Sequence, residues 1–454
     1  MSERYAMRSE KNPHQAGQQD RFMIFDLDAR GHHPGYIQHL VKYWCENDLP
    51  GHLDVLVSQV FIQRHPQIVA LADQRTNIRF VSISKAEQTK LVSSDELGSS
   101  FKGRIIRAFQ EWKIIRKYAI SLETTHVFLM YLDRVLLRMA LGVKLPCAMS
   151  VIYFRPILHY AVFPNYCLEG KESFWQWRDR VCLARFLPLP KLQTVFCLDQ
   201  FAVDYINQVY NTSKAVHLAD PVQRYNHTDA EAEALRTQLG IEPGRSVFLM
   251  FGALENDRKG LKETLEAIEQ LPPALCRRMT VVLAGTITGE AREQLEARID
   301  QITRSHPVQI VTQFGFVPDE AIHPYFQISD VVLVPYQRHI GMSAILVRAA
   351  AAQKPVLASD FGVIGELTRR YQLGLTIDAA SPEQIAQAMM RFLLEVPGEL
   401  CNPVKQKQFA DHNTAQQFAS QIFQALYTPP STRGSRSLTA QPINSPQLSN
   451  SRRL

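Results

Sequence analysis

The sequence predicts an α/β fold of two doubly wound domains, each a parallel sheet covered by helices on both faces and the pair facing each other across a cleft. Three observations predict it. Short runs rich in Val, Ile, Leu and Phe alternate with segments of helical period along most of the chain. Those runs show little polar–apolar alternation, as strands buried on both faces should. The length of 454 residues, 46% hydrophobic and 21% charged, allows two or three domains with separate cores.

The second half shows the alternation most clearly. "SVFLMFG" (246–252) reads as a buried strand, followed by a helix from Gly260 to about Gln270. "MTVVLAG" (279–285) precedes a helix near 290–303, and "VQIVTQFG" (308–315) precedes a short helix from Asp319. "DVVLVPY" (330–336), a helix over Ser343–Ala352, "PVLAS" (355–359) and a helix from Ser381 complete a Rossmann-like domain over 246–400. In the first half, "RFMIFDLD" (21–28) leads into "ARGHHPGYIQHLVKYW". The strands expected after it are "LDVLVSQ" (53–59), "IRFVSIS" (78–84), "THVFLMYLD" (125–133), "PCAMSVIYF" (146–154), "QTVFCLD" (193–199) and "KAVHLADPV" (214–222). These define a first Rossmann-like domain over 21–222, a polar connection over 223–245 and a closing helix within 401–427. Residues 1–20 and the Ser-, Pro- and Arg-rich tail over 428–454 read as disordered. Ligands of doubly wound sheets sit beyond the C-terminal ends of the strands.

Composition narrows the function. A net charge of +6 over this length is too mild to argue for nucleic acid. Seven cysteines, all spaced singly, favour reduced thiols and a cytoplasmic setting over a disulfide framework. The first twenty residues carry no apolar core, so no secretory signal is expected. No run approaches the roughly 18–20 apolar residues that cross a bilayer. No His, Asp or Glu cluster has metal-ligand spacing, so neither a metal nor a cofactor is expected.

Three stretches of the second half carry a family resemblance: "VTQFGFVPDEAIHPYFQISDVVLVPY", "PVLASDFGVIGE" and "FGALENDRKGLKETLEAI". They resemble the retaining glycosyltransferases of family 4, which have the GT-B fold; the likeness is specific over 245–395 and loose over 21–220. The resemblance implies a glycosyltransferase moving a sugar, with retained configuration, from a nucleotide diphosphate-sugar to a glycan or lipid-linked acceptor. Polysaccharide or glycolipid assembly is the implied setting. The first domain would take the acceptor and the second the donor, which is a substrate rather than a cofactor.

Carried over position by position, the resemblance makes Gly252 the end of a diphosphate-facing strand. The family's following arginine is replaced by Ala253, while Lys259 keeps the diphosphate position with Arg258 beside it. A solvated basic turn explains the same pair. Phe316 and Val317 occupy the turn that lies against the nucleobase; a strand exit with core aromatics reads alike. Two family glutamates, which grip ribose and sugar hydroxyls, fall on Ile340 and Arg348 and are both missing. What remains is Gly341 and Ser343, a turn whose serine can cap the next helix and whose N–H groups can face phosphate. Arg348 either pairs with a carboxylate such as Glu366, or points at phosphate or at an acidic sugar. Glu366 matches a family glutamate or caps a helix.

On the acceptor side, Gly31, His32, His33 and Gly35 form a glycine turn between strand and helix, a weak signal alone. His126 and Asp133 bracket one strand near where the family sometimes places an acceptor-side acid or histidine, and are the catalytic candidates; core positions explain them equally. Arg155 ends the next strand as an acceptor contact. Over 101–120, Phe101, Ile105, Ala108, Phe109, Trp112, Ile115 and Ala119 share one face of a basic helix. That face could lie on an anionic membrane, with "FWQWRDRVCLARF" (174–186) adding aromatics, or pack on the sheet. The missing carboxylates leave a rival reading, a non-catalytic homologue that binds nucleotide or acts as a scaffold.

Overall fold

The computed structural model describes residues 20–91, 101–142, 144–163, 166, 171–225, 228–255 and 257–428. Apart from Asp20 and Thr428, the two segments expected to be disordered lie outside these residues.

Two parallel sheets form. The first holds β1 (Arg21–Phe25), β2 (His52–Val57), β3 (Ile78–Ser82), β4 (His126–Leu129), β5 (Ala148–Ile152), β6 (Leu192–Cys197) and β7 (Ala215–His217), in the order β3-β2-β1-β4-β5-β6-β7. The second holds β8 (Ser246–Phe251), β9 (Met279–Gly285), β10 (Gln309–Phe314), β11 (Val331–Val334), β12 (Val356–Ser359) and β13 (Gly374–Ile377), in the order β10-β9-β8-β11-β12-β13. Strand order reverses between β1 and β4 and between β8 and β11, so a crevice opens beyond the C-terminal end of each pair.

Continuous apolar runs make these strands because each residue has a core to face. Phe248 and Met250 of β8 enter one hydrophobic cluster, and Val247, Leu249 and Phe251 enter another on the opposite face. β1 does likewise, with Met23 and Phe25 on one side and Phe22 and Ile24 on the other. Each such buried side chain contributes about 1.5–3 kcal/mol. Four-residue β13 was not expected: three of its residues are half-buried at the sheet edge and its apolar signal is short.

Two organisational expectations are corrected. The connection over 223–245 contains a helix, Asp229–Gln238, opened by a capping box of Thr228 and Glu231. It packs on the helix His323–Ile328 and so belongs to the second domain. The closing helix is two helices. Pro403–His412 packs on the helix Ala344–Ala351 of the second domain. Ala415–Tyr427 returns to the first domain, placing Phe418, Ile422 and Phe423 in one cluster with Phe22 and Trp44. The chain therefore crosses between domains twice, and the crossings touch: the Asp220 N–H donates to Asn413 Oδ1 at 3.0 Å, and Val222 bridges Thr414.

The helix Phe101–Ser121 packs on the first sheet through Ala108, Trp112, Ile115 and Ala119, all buried. Of the apolar face that suggested a membrane contact, these four residues are core, while Phe109 remains 37% exposed, as do Phe174 at 51% and Trp177 at 60% in the second aromatic stretch. No helix among the described residues is long and apolar enough to cross a membrane.

Candidate functional site

The donor side is built at the ends of β8 and β11. The turn after β8 carries Arg258 and Lys259 and closes on Gly260, whose φ of 68° and whose missing Cβ let it lie against the Pro335 carbonyl beyond β11. A Cβ there would stand 2.1 Å from that oxygen. The turn thus pins the basic residues to the β11 exit. Lys259 is 5% exposed, and its Nζ donates to the Phe251 carbonyl at 2.9 Å and to the Tyr336 hydroxyl at 2.6 Å. It makes no ion pair among the described residues. Its ammonium lies under Gly252, where a Cβ would stand 2.9 Å from Nζ. Arg258 is exposed, its Nη1 lying 3.3 Å from His339 Nδ1.

His339 was not singled out in the sequence. Burial, then Arg258, push its pKa down to about 4, so it is a neutral imidazole at pH 7. Its Nε2 lies 3.3 Å from the Met342 carbonyl, which is compatible with an N–H donor there and an acceptor at Nδ1. Gly341 follows, and Ser343 stands at the N-cap of the helix Ala344–Ala351. The serine is buried, yet its hydroxyl makes no capping bond, contrary to expectation. The first N–H groups of this helix carry a partial positive charge, and the segment that leads into them, His339–Met342, is the one Arg258 meets.

Phe316 is 83% exposed beyond β10, a flat apolar face turned to solvent, while Val317 is half-buried against the core. Arg348 pairs with Asp319, not with Glu366. The second oxygen of Asp319 accepts from the Tyr225 hydroxyl at 3.2 Å. Glu366 sits in the second turn of the helix Gly362–Arg370 and meets Arg369 and Arg370 at 3.3 and 3.9 Å, so it neither caps that helix nor holds Arg348.

On the facing domain, Gly31 has a φ of 63° and leads into the helix His33–Glu46. A Cβ at Gly31 or Gly35 would meet nothing within 4 Å, so the space above this turn is open. His33 is buried, with Nδ1 2.6 Å from Asp26 and Nε2 3.3 Å from Asp28, so both ring nitrogens are held by carboxylates. Asp26, Asp28 and His33 bring ligand-type atoms within 4.8 Å of one another. Arg134 also pairs with Asp28, supplying the positive charge a cation would otherwise bring. His32 keeps solvent contact at its rim but is crowded by Tyr36 and Phe154; desolvation, His33 and Arg155 lower its pKa to about 4.

The two catalytic candidates are displaced. His126 lies at the N-terminal end of β4, buried against Ser150 Oγ at 3.0 Å, on the edge of the sheet away from the cleft. Asp133 is near the cleft, but its two oxygens accept the Phe154 and Arg155 N–H groups at 3.0 and 2.9 Å. Both of its oxygens are thus engaged by the backbone that leads into Arg155. Burial raises its pKa to about 6. A carboxyl whose folded pKa lies above its unfolded value stabilises most at low pH, and that contribution is lost as pH rises through 6. Wild type should therefore lose about 2 kcal/mol of stability relative to Asp133→Asn between pH 4 and 7. Paired denaturation curves that differ by a constant amount across that range would remove the assignment.

Arg155 is exposed and makes no ion pair among the described residues; its charge reaches both His32 and His339, so it stands between the two domains. The structure thus brings together Arg258, Lys259, Gly341, Ser343, His32 and Arg155 around one cleft.

Residues 231–409 match the sequence profile of the family described as Glycosyl transferases group 1. The chain is 30% identical over 166 residues to the D-inositol 3-phosphate glycosyltransferase of Rhodococcus erythropolis, spanning 35% of this chain and 36% of that protein. It is 31% identical over 134 residues to the lipopolysaccharide 1,2-N-acetylglucosaminetransferase of Salmonella typhimurium, 29% of this chain and 35% of that protein. The similarity thus spans little more than a third of these curated relatives. Among solved structures, Anabaena HepE in complex with UDP superposes with a TM-score of 0.60 at 15% identity, covering 90% of this chain and 99% of that one. WaaG, a glycosyltransferase involved in lipopolysaccharide biosynthesis, gives 0.56 at 14% identity, covering 90% and 100%. These likenesses show the fold over both domains.

Proposed function

From a chain with a GT-B fold whose residues 231–409 match the glycosyl transferases group 1 profile, we infer a glycosyltransferase that moves a sugar from a nucleotide diphosphate-sugar to an acceptor hydroxyl. The observation that carries this is Lys259. A buried ammonium without a counterion is costly; an anion at the mouth of β8 would complete its surroundings. The diphosphate of a sugar nucleotide is such an anion, and it gains charge as the glycosidic bond breaks. Lys259, Arg258 and the first N–H groups of the Ala344 helix are aimed where that charge grows.

The other roles follow from position. Phe316 offers its exposed ring to the base. Asp319, anchored by Arg348 and still 44% exposed at its side chain, presents carboxylate oxygens three residues beyond that ring, where ribose hydroxyls need acceptors. Neutral His32 can accept a hydrogen bond from the acceptor hydroxyl. Retention of configuration and an acceptor in polysaccharide or glycolipid assembly belong to the same reading, supported by the resemblance of the second domain.

The test is a thermal-shift screen of the purified protein against nucleoside diphosphates and their sugars, since ligand binding raises apparent stability by mass action. A shift selective for one base, reduced by Phe316→Ala, is expected, and that donor then enters a turnover assay. Nucleotide binding without turnover on any acceptor, or no shift at millimolar nucleotide, would favour the non-catalytic homologue.

A further inference from the structure

The helices Phe101–Ser121, Leu132–Ala140 and Lys171–Phe186 form one layer over a single face of the first sheet. Their inward residues, among them Trp112, Ile115, Leu136, Met139, Leu183 and Phe186, share one core cluster with that face. Their opposite sides therefore meet solvent together, and ring contacts join them. Arg138 of the middle helix lies over the Phe109 ring of the first at 5.2 Å, and Arg104 of the first over the Trp175 ring of the third at 5.2 Å.

This layer holds the positive charge of the protein. Its three helices carry twelve Lys and Arg against four Asp and Glu, a net of +8, where the whole chain has +6. The rest of the chain is thus net negative. The four carboxylates are engaged within the domain. Glu111 and Asp179 are buried and paired with Arg107 and Arg178, and Asp133 accepts two backbone N–H groups. Glu172 accepts from the Tyr166 hydroxyl at 3.0 Å. On the outside, Lys102, Lys113, Arg116 and Arg185 are exposed and make no ion pair among the described residues.

Large apolar side chains share this surface in rows. Phe109, Lys113, Arg116 and Ile120 follow at spacings of four, three and four, one outer stripe of the first helix. Phe174, Trp177 and Val181 form a stripe of the third, with the Phe174 and Trp177 rings 6.0 Å apart. All five apolar residues of these stripes are exposed. Such a run in solvent, rimmed by charge, marks an interaction surface.

We propose that this helix layer docks on an anionic lipid bilayer, its unpaired lysines and arginines at the headgroup phosphates and Phe174 and Trp177 between headgroups and acyl chains. The proposal rests on this surface and not on sugar transfer. Helices lying flat, with aromatics set among unpaired cations, match the chemistry of a membrane surface, where an indole settles at headgroup depth. Duplex nucleic acid would answer the cations and leave the aromatic stripe in water. Each cation within a Debye length of an anionic leaflet strengthens binding about fivefold.

The test is co-sedimentation of the full chain with vesicles of phosphatidylcholine alone or mixed with phosphatidylglycerol. Binding to the mixed vesicles only is expected, weakened by high salt. Lys113→Ser/Arg116→Ser/Arg185→Ser should weaken it about a hundredfold. Brominated acyl chains should quench the fluorescence of bound wild type, and Trp177→Phe should remove most of that quenching. These positions are exposed, so both variants should melt as wild type does, and the triple variant should keep the nucleoside diphosphate shift. No sedimentation, equal binding to both vesicle types, or binding indifferent to the three cations overturns the proposal. A DNA duplex bound more tightly than mixed vesicles, with no quenching, overturns it in favour of nucleic acid. Absence of any nucleotide shift overturns the donor reading and leaves the docking surface to its own sedimentation.

Discussion

Lys259→Met should lower sugar transfer by about 10²–10³-fold, the loss typical of removing one preorganised charge-stabilising donor. The folded protein without ligand should stay within about 1–2 kcal/mol of wild type. Those two expectations come from one geometry. The ammonium has no carboxylate to lose, so replacing it by a methionine of similar length removes an unpaired buried charge. What is left behind is the Phe251 carbonyl and the Tyr336 hydroxyl without their shared donor, each worth about 1 kcal/mol. The gain and the loss largely offset. When a diphosphate is present the balance changes, because the methionine then leaves the leaving group's charge unanswered. Turnover of Lys259→Met within threefold of wild type would show that the ammonium belongs only to the fold. A collapse of thermal stability in the absence of nucleotide would show the same.

The two sheets were legible because their strands are buried on both faces, and the run "MTVVLAG" needs no partner in the sequence to declare itself. The basic turn at Arg258 and Lys259 and the strand exit at Phe316 were legible too, since backbone turns and strand exits leave local signals, but the exposure of the Phe316 ring was not. The pairings were not. Arg348 and Asp319 are 29 residues apart, and nothing local distinguishes Asp319 from Glu366 as the partner. His126 and Asp133 bracket the same strand and read alike. Only the direction of β4 puts the histidine at the far edge of the sheet, and only a turn 21 residues later consumes the aspartate's oxygens. His339 has no motif of its own; its role comes from Arg258 folding over it.

Arg348 and Asp319 are expected to act as one unit, and the double-mutant cycle should show it. Arg348→Ala takes away the partner of a carboxylate and a side chain that is 15% exposed, which should cost about 2 kcal/mol and lower Tm by several degrees. Asp319→Ala should cost a similar amount, because it strands the guanidinium. The double variant should cost less than the sum by about 1–2 kcal/mol, the coupling expected of residues in direct contact. Nucleotide affinity divides the roles. If Asp319 supplies the acceptor oxygens for ribose, Asp319→Asn weakens nucleotide binding about tenfold while holding the fold. Arg348→Ala then weakens it only through the carboxylate it no longer orients. The cation also lowers the pKa of Asp220 in the first crossing between the domains, opposing a desolvation that raises it to about 6. Arg348→Ala should therefore favour a protonated Asp220 near neutral pH. Affinity lost a hundredfold in Arg348→Ala and kept in Asp319→Asn would place the guanidinium itself on the donor. Unchanged affinity in both would remove this pair from the site and leave the base end of the cleft to Phe316 alone.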